Sequence, residues 1–257
     1  MNNLAQAVWV ETLKARRSKM PLITALGFSL VSLAGGFFMI VLKDPELARR
    51  VGLISAKAQI TMGVADWPAY LRFLAMATGA GGIILFGLIG SWVFGREYSD
   101  RTVKDLLALP TARSAIVLSK FVVVAVWSAA LTVLICLVGL GVGAAIGLPQ
   151  VSLQVFLRSG VTVAVAACLT IALVPPIAFF ASAGRGYLPP IGIMILAMGL
   201  AQIAAVAGWG EYFPWAIPGL YSQGENLGTV SYVIVILTGI VGIAGTFVWW
   251  EWADQTH

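Results

Sequence analysis

The chain has 257 residues, of which 60% are hydrophobic and only 11% charged; a soluble domain carries about 25% charged residues. That excludes a water-soluble globular protein, so the length divides into membrane spans of about 20 residues each. The net charge of +5 lies beside the apolar runs, where a positive-inside bias and anionic lipid account for it better than nucleic acid does.

Residues 1–20 come first. Leu4, Ala7, Val8 and Thr12 recur at helical spacing, with Trp9, Glu11, Lys14, Arg16, Arg17 and Lys19 interleaved. This pattern predicts an amphipathic helix lying along the headgroups. The segment is basic and lacks a short apolar core ending in small residues, so no cleavable signal is expected. Pro21 opens the first span, about 21–42. Residues 43–69 are mixed in polarity and are expected outside, with a short amphipathic helix over 48–62. The second span, about 69–94, is rich in glycine, which favours close helix packing or a bend.

A hydrophilic stretch follows, from Arg96 to Lys120, with five basic and three acidic residues between two apolar runs. Thr102 and Asp105 stand in the spacing of a capping box ahead of Leu106 and Leu107. They predict a short helix from Val103 to Leu109, stopped by Pro110, with Thr111 or Ser114 capping the next helix. Val103, Leu106 and Leu107 share one face. Such a helix suits docking on a soluble partner, or it is a solvated hairpin with no partner.

The third run, about 114–147, would be roughly 50 Å long as a helix, against a hydrocarbon core of about 30 Å. Lys120 near its start predicts that the first turns project into the cytoplasm. Gly139, Gly143 and Gly147 are spaced by four, a face for helix packing within the chain or across a dimer, with the intrachain reading as the default. The fourth span, about 156–181, contains Pro175 and Pro176, which should kink or break it. Pro189 and Pro190 open the fifth, about 188–207. Residues 208–229 are too broken for a span and read as an outer interfacial or re-entrant segment, with Trp209, Tyr212, Trp215 and Tyr221 at headgroup level. The sixth span, about 230–250, ends at Trp249, Trp250 and Trp252, which mark its inner boundary. Cys136 and Cys168 lie in apolar runs and read as packed thiols.

The expected fold class is therefore an all-α integral membrane protein of six transmembrane helices in a single domain, with both termini cytoplasmic. That topology places ten Lys/Arg inside and six outside.

There is no Walker A loop, no His/Cys/carboxylate cluster for a metal, and no nucleophile–base pair. Lys120, Arg72, Arg158 and Glu211 all fall near span ends, so no midplane ion relay is readable. A transport protein built this way needs energy from elsewhere. A membrane scaffold or sensor using the same hairpin is the alternative, and an intramembrane enzyme lacks paired catalytic residues.

The stretch Arg96–Lys120 resembles the hairpin of type-2 ABC transporter permeases, a mostly export-type family. In that family an acidic residue precedes a Gly-Thr step, a Leu-Leu pair, a Pro, an Arg and a Lys. The matching residues are Glu97, Thr102, Leu106 with Leu107, Pro110, Arg113 and Lys120, and Arg101 stands where glycine is usual. The resemblance extends to the basic amino terminus, the six-span layout and the broken outer segment. It implies a permease subunit without its own cofactor, paired with a second identical or related permease and with two separate ATPases that carry ATP and Mg. It implies that Glu97, Tyr98, Arg101, Thr102, Asp105, Leu106, Leu107, Pro110 and Arg113 form the ATPase-coupling region, with Lys14, Arg16 and Arg17 of the amino-terminal helix approaching the ATPase too.

Overall fold

A computed structural model describes residues 3–44, 64–108 and 110–252. The expected outer helix over 48–62, Leu109 and the tail from residue 253 lie outside them. The described residues form helices and connecting turns without strands. Six of the helical stretches are long and apolar enough to cross a membrane: Met20–Lys43, Trp67–Ser99, Arg113–Ala145, Leu153–Ala183, Leu188–Val206 and Thr229–Trp252.

Helix α1 (Asn3–Arg17) precedes α2 (Met20–Lys43), the first span. The second span is α3 (Trp67–Met76), a π-helical turn at Ala77–Gly81, and α4 (Gly82–Ser99). The π turn sits in the glycine run and frees backbone carbonyls from the regular ladder. The Thr170 hydroxyl shares its one hydrogen among the Ala166 carbonyl of its own helix (2.8 Å) and the Gly79 (3.0 Å) and Thr78 (3.3 Å) carbonyls of this turn. Gly79 also lets the backbone of Pro218 come so close that a Cβ would strike it. Of the two expectations for the glycine-rich span, close packing is met here, beside a π-helical turn.

The hairpin carries a short helix α5 (Val103–Leu107), and α6 (Arg113–Ala145) is the 33-residue third span. Gly139 packs on Leu74 and Gly143 on Trp67, both on α3, so two of the three spaced glycines serve contacts within the chain. Gly147 (φ 66°) has another job, as the left-handed residue that ends α6. The fourth span breaks into α7 (Leu153–Ala172) and α8 (Val174–Ala183), with Pro175 and Pro176 in the first turn of α8. A proline fits a first turn, where its missing N–H would lack a helical partner anyway. Gly242 seats on these two prolines.

Helix α9 (Leu188–Val206) begins with Pro189 and Pro190, as expected. The segment after α9 contains a 3-10 turn (Gly210–Tyr212) and helix α10 (Ile217–Gln223), and α11 (Thr229–Trp252) closes the bundle. Trp209 and Tyr212 are exposed, while Ile217 and Ser222 are buried, so part of this segment is core. Trp250, near the end of α11, is fully buried, its indole N–H donating to Ser182 Oγ at 3.0 Å, and only Trp252 of the terminal tryptophans stands exposed.

Candidate functional site: a charged clasp behind the hairpin

Three elements meet behind the hairpin: α1, the end of α4 and the start of α6. Glu97, in the last turn of α4, is 3% exposed, Glu11 of α1 is 4% and Lys120 of α6 is 0%. The Lys120 ammonium lies 3.1 Å from Glu11 Oε2 and 3.2 Å from Glu97 Oε1, and it donates to the Val93 carbonyl at 2.9 Å. Lys14 closes the ring, 2.9 Å from Glu11 Oε1 and 2.9 Å from Glu97 Oε1. Two ammonium groups and two carboxylates therefore compensate one another, which a buried charge requires.

This arrangement overturns one expectation and adds to another. Lys120, read as a sign that the first turns of α6 leave the membrane, is itself a buried side chain. It lies about 10 Å along α6, and the two carboxylates hold it inside the protein. Glu11 is not on the polar side of α1. It shares the packed stripe of Leu4, Ala7, Val8, Thr12 and Ala15, and that stripe meets α6 rather than lying wholly on headgroups. Lys14 titrates above its ordinary value: burial acts to lower it, and Glu11 and Glu97 outweigh burial.

The hairpin is tied to the same cluster. Thr102 does not cap α5 through its side chain; its hydroxyl donates to Glu97 Oε2 at 2.7 Å. The hydroxyl's one hydrogen goes to a charged acceptor, a strong bond, and no N–H of α5 reaches its oxygen. The expected capping box is thus replaced by a bond into the clasp. Likewise neither Thr111 nor Ser114 caps α6, whose N-cap is Ala112.

Helix α4 ends in a Schellman turn: Thr102 N–H donates to the Glu97 carbonyl (2.9 Å) and Arg101 N–H to the Tyr98 carbonyl (3.2 Å). The turn puts Arg101 at φ 58°. This left-handed conformation favours glycine, which accounts for glycine as the usual residue there. Arg101 takes the same backbone path and adds an exposed cation.

The remaining sequence-selected residues divide by exposure. Asp105 and Pro110 are exposed, as are Arg16 and Arg17 at the end of α1. Leu106 and Leu107 are half-buried and pack on the protein's own core, so the leucine face is partly used internally. Tyr98 meets the Trp250 ring edge-on at 6.2 Å. Arg113 donates to the carbonyls of Trp250 and Glu251, 3.1 Å each, closing the end of α11. A cleft of about 200 Å³ opens between α1 and the hairpin, lined by Gln6, Val10, Glu11, Leu106 and Thr111 among others. Sequence reasoning missed Glu11. The available signal was its place at i+4 from Ala7 and i−4 from Ala15 on one face.

The described residues hold no group of three or more metal-ligating side chains. Residues 7–201 match the family model described as ABC-2 family transporter protein. The chain belongs to this family. The matched region contains all four clasp residues and the whole hairpin. The bacitracin transport permease protein BCRB of Bacillus licheniformis is 27% identical over 177 residues, covering 67% of this chain and 85% of that protein. No solved structure matches. The protein is accordingly a multi-pass ABC-2 type transport permease.

Proposed function

We propose that this permease is the transmembrane subunit of an ATP-driven exporter, coupling ATP hydrolysis by a separate ATPase dimer to substrate movement. The observation that carries the reading is the clasp of Glu11, Lys14, Glu97 and Lys120, with Thr102 joining the hairpin to it. In this reading the hairpin face is cytoplasmic. The ATPase engages the exposed residues Arg101, Asp105 and Pro110, and Arg16 and Arg17 flank the contact. Displacement of the hairpin passes through Thr102 and Glu97 to Lys120. From there α6, about 50 Å long, carries it to the opposite face. A second permease copy or a related one completes the pathway. ATP and Mg belong to the ATPase, not to this chain. The relative's name makes bacitracin the first substrate to test.

The test is co-purification with an ATPase encoded beside this chain, followed by ATPase and transport assays in liposomes. Glu97→Ala should leave the ATPase bound but lower stimulated hydrolysis and transport together. Leu106→Asp should weaken the complex itself. Unchanged complex formation and activity in both variants would sink the coupling assignment. A stable complex with no transport would favour a scaffold role.

A further inference from the structure

On the face opposite the hairpin, α3, α7 and α10 enclose a cavity of about 610 Å³. Arg72 of α3 and Arg158 of α7 both line it. Among the described residues neither guanidinium has a carboxylate within ion-pair distance. Both lie in the second turn of a span helix, where an unpaired cation is costly unless it faces water or a ligand. They also stand on the side that a positive-inside distribution leaves poor in cations.

Several of the other polar side chains of the wall already donate within the chain. Ser159 Oγ donates to the Val155 carbonyl (3.0 Å) and Thr162 Oγ1 to the Arg158 carbonyl (3.1 Å). Ser222 and Gln223 both donate to the Gly219 carbonyl, at 2.6 and 3.1 Å. The free charged donors are therefore the two guanidiniums, whose forked geometry suits the oxygens of a phosphate. Val155 and Val161, on the same wall, are exposed apolar side chains. One carboxylate, Glu225, completes the wall and leaves it with a net positive charge.

We propose that this cavity binds a phosphate-headed amphiphile, its head between Arg72 and Arg158 and its chain along Val155 and Val161. Such a ligand comes from the bilayer as an anionic lipid or from solution as an amphiphilic phosphate ester. The proposal does not rest on ATPase coupling or on the direction of transport.

The probe is dodecyl phosphate, titrated onto the full chain in neutral detergent and read by tryptophan fluorescence, with a neutral dodecyl glycoside as control. Saturable binding of the phosphate but not of the glycoside is expected. Arg72→Gln with Arg158→Gln should weaken it at least tenfold, and each single variant should weaken it less. Arg72→Lys with Arg158→Lys keeps the charge and should retain part of the affinity, which guards against a folding artefact. Glu225→Gln should tighten binding several-fold. Lys19→Gln with Lys104→Gln removes the same charge on the other face and should change nothing. Competition by inorganic phosphate would assign recognition to the head alone, whereas competition only by phosphatidic acid in mixed micelles would assign it to a lipid. Undiminished binding in the double arginine variant, or an equal loss in the Lys19/Lys104 control, would overturn the site.

Discussion

The two faces of the permease use their cations in opposite ways. On the hairpin face, Lys14 and Lys120 are consumed in the clasp and Arg113 closes the end of α11. On the other face, Arg72 and Arg158 line a cavity, and no carboxylate of the described residues lies within ion-pair distance of them. The helix ends repeat the contrast. Schellman turns on the hairpin face put Arg101 (φ 58°) and Arg185 (φ 53°) in the left-handed position, while on the opposite face that position holds Gly147, Gly208 and Gly224. The hairpin face is thus wired internally and accepts backbone strain to present arginine at two turns. The opposite face has relaxed turns; Lys43 is spent on the carbonyls that end α6, whereas Arg72 and Arg158 stay open to the cavity.

Breaking the wiring should have the largest effect. Lys120→Met removes one ammonium from a buried ring and leaves Glu11 and Glu97 sharing Lys14. The expected destabilisation is about 3–5 kcal/mol, read as a large fall in Tm by intrinsic fluorescence in detergent. Combining it with Glu97→Gln should recover part of that loss, because only one buried carboxylate then remains. A Tm that stays at the wild-type value in Lys120→Met would show that the ring is not held together as the distances imply.

Thr102→Val comes next. It deletes a 2.7 Å bond to a buried carboxylate, which is worth about 1.5–3 kcal/mol. Its second readout sharpens the comparison: the hairpin should lose protection against amide exchange while the opposite face does not. Equal exchange on both faces would contradict a hairpin held by Glu97.

How much of this was legible in the sequence follows from which forces act locally. The six spans were readable because every stretch in hydrocarbon must be apolar residue by residue. The break at Pro175 and Pro176 was readable because proline acts on its own backbone. The clasp was not. Its partners stand 83 and 109 residues apart, and a sequence shows what each buried charge costs without showing what compensates it. Lys120 inside a 33-residue apolar helix was still a signal that a carboxylate had to be near. The capping box failed for a local reason. Thr102 and Asp105 had the spacing, but the turn that ends α4 sets the Thr102 hydroxyl on Glu97, five residues earlier, and its oxygen caps no N–H of α5. Arg101 was the reverse case: its departure from the family pattern flagged the turn whose geometry the structure then supplied.

That turn gives an effect of opposite sign. Arg101→Gly should stabilise the isolated permease by on the order of 1 kcal/mol, because glycine adopts φ 58° without the Cβ penalty. Gly224→Ala, on the other face, should destabilise by a similar amount, since its φ is 88°. If Arg101 serves the ATPase, Arg101→Gly should also weaken the complex while raising the Tm of the subunit. A gain in both would identify Arg101 as a substitution without a contact to serve.

The smallest expected effect concerns Lys14, which is partly exposed and lies outside the spans. Its pKa in the folded chain is raised above 10.5 by Glu11 and Glu97, against the opposing pull of burial. A group whose folded pKa is raised contributes stability that is fully present below its unfolded pKa. That contribution is lost as pH rises through the folded value. The clasp should therefore show no Lys14-dependent change from neutral pH to about pH 10, and a decline above it. Lys14→Gln should have a lower Tm at neutral pH and a shallower alkaline decline than wild type. Arg72→Gln serves as the comparison on the opposite face: with no acid partner to lose, it should leave the alkaline slope unchanged. Parallel slopes for wild type and Lys14→Gln would mean that Lys14 spends little of its time on the two carboxylates, and that Lys120 alone holds the ring.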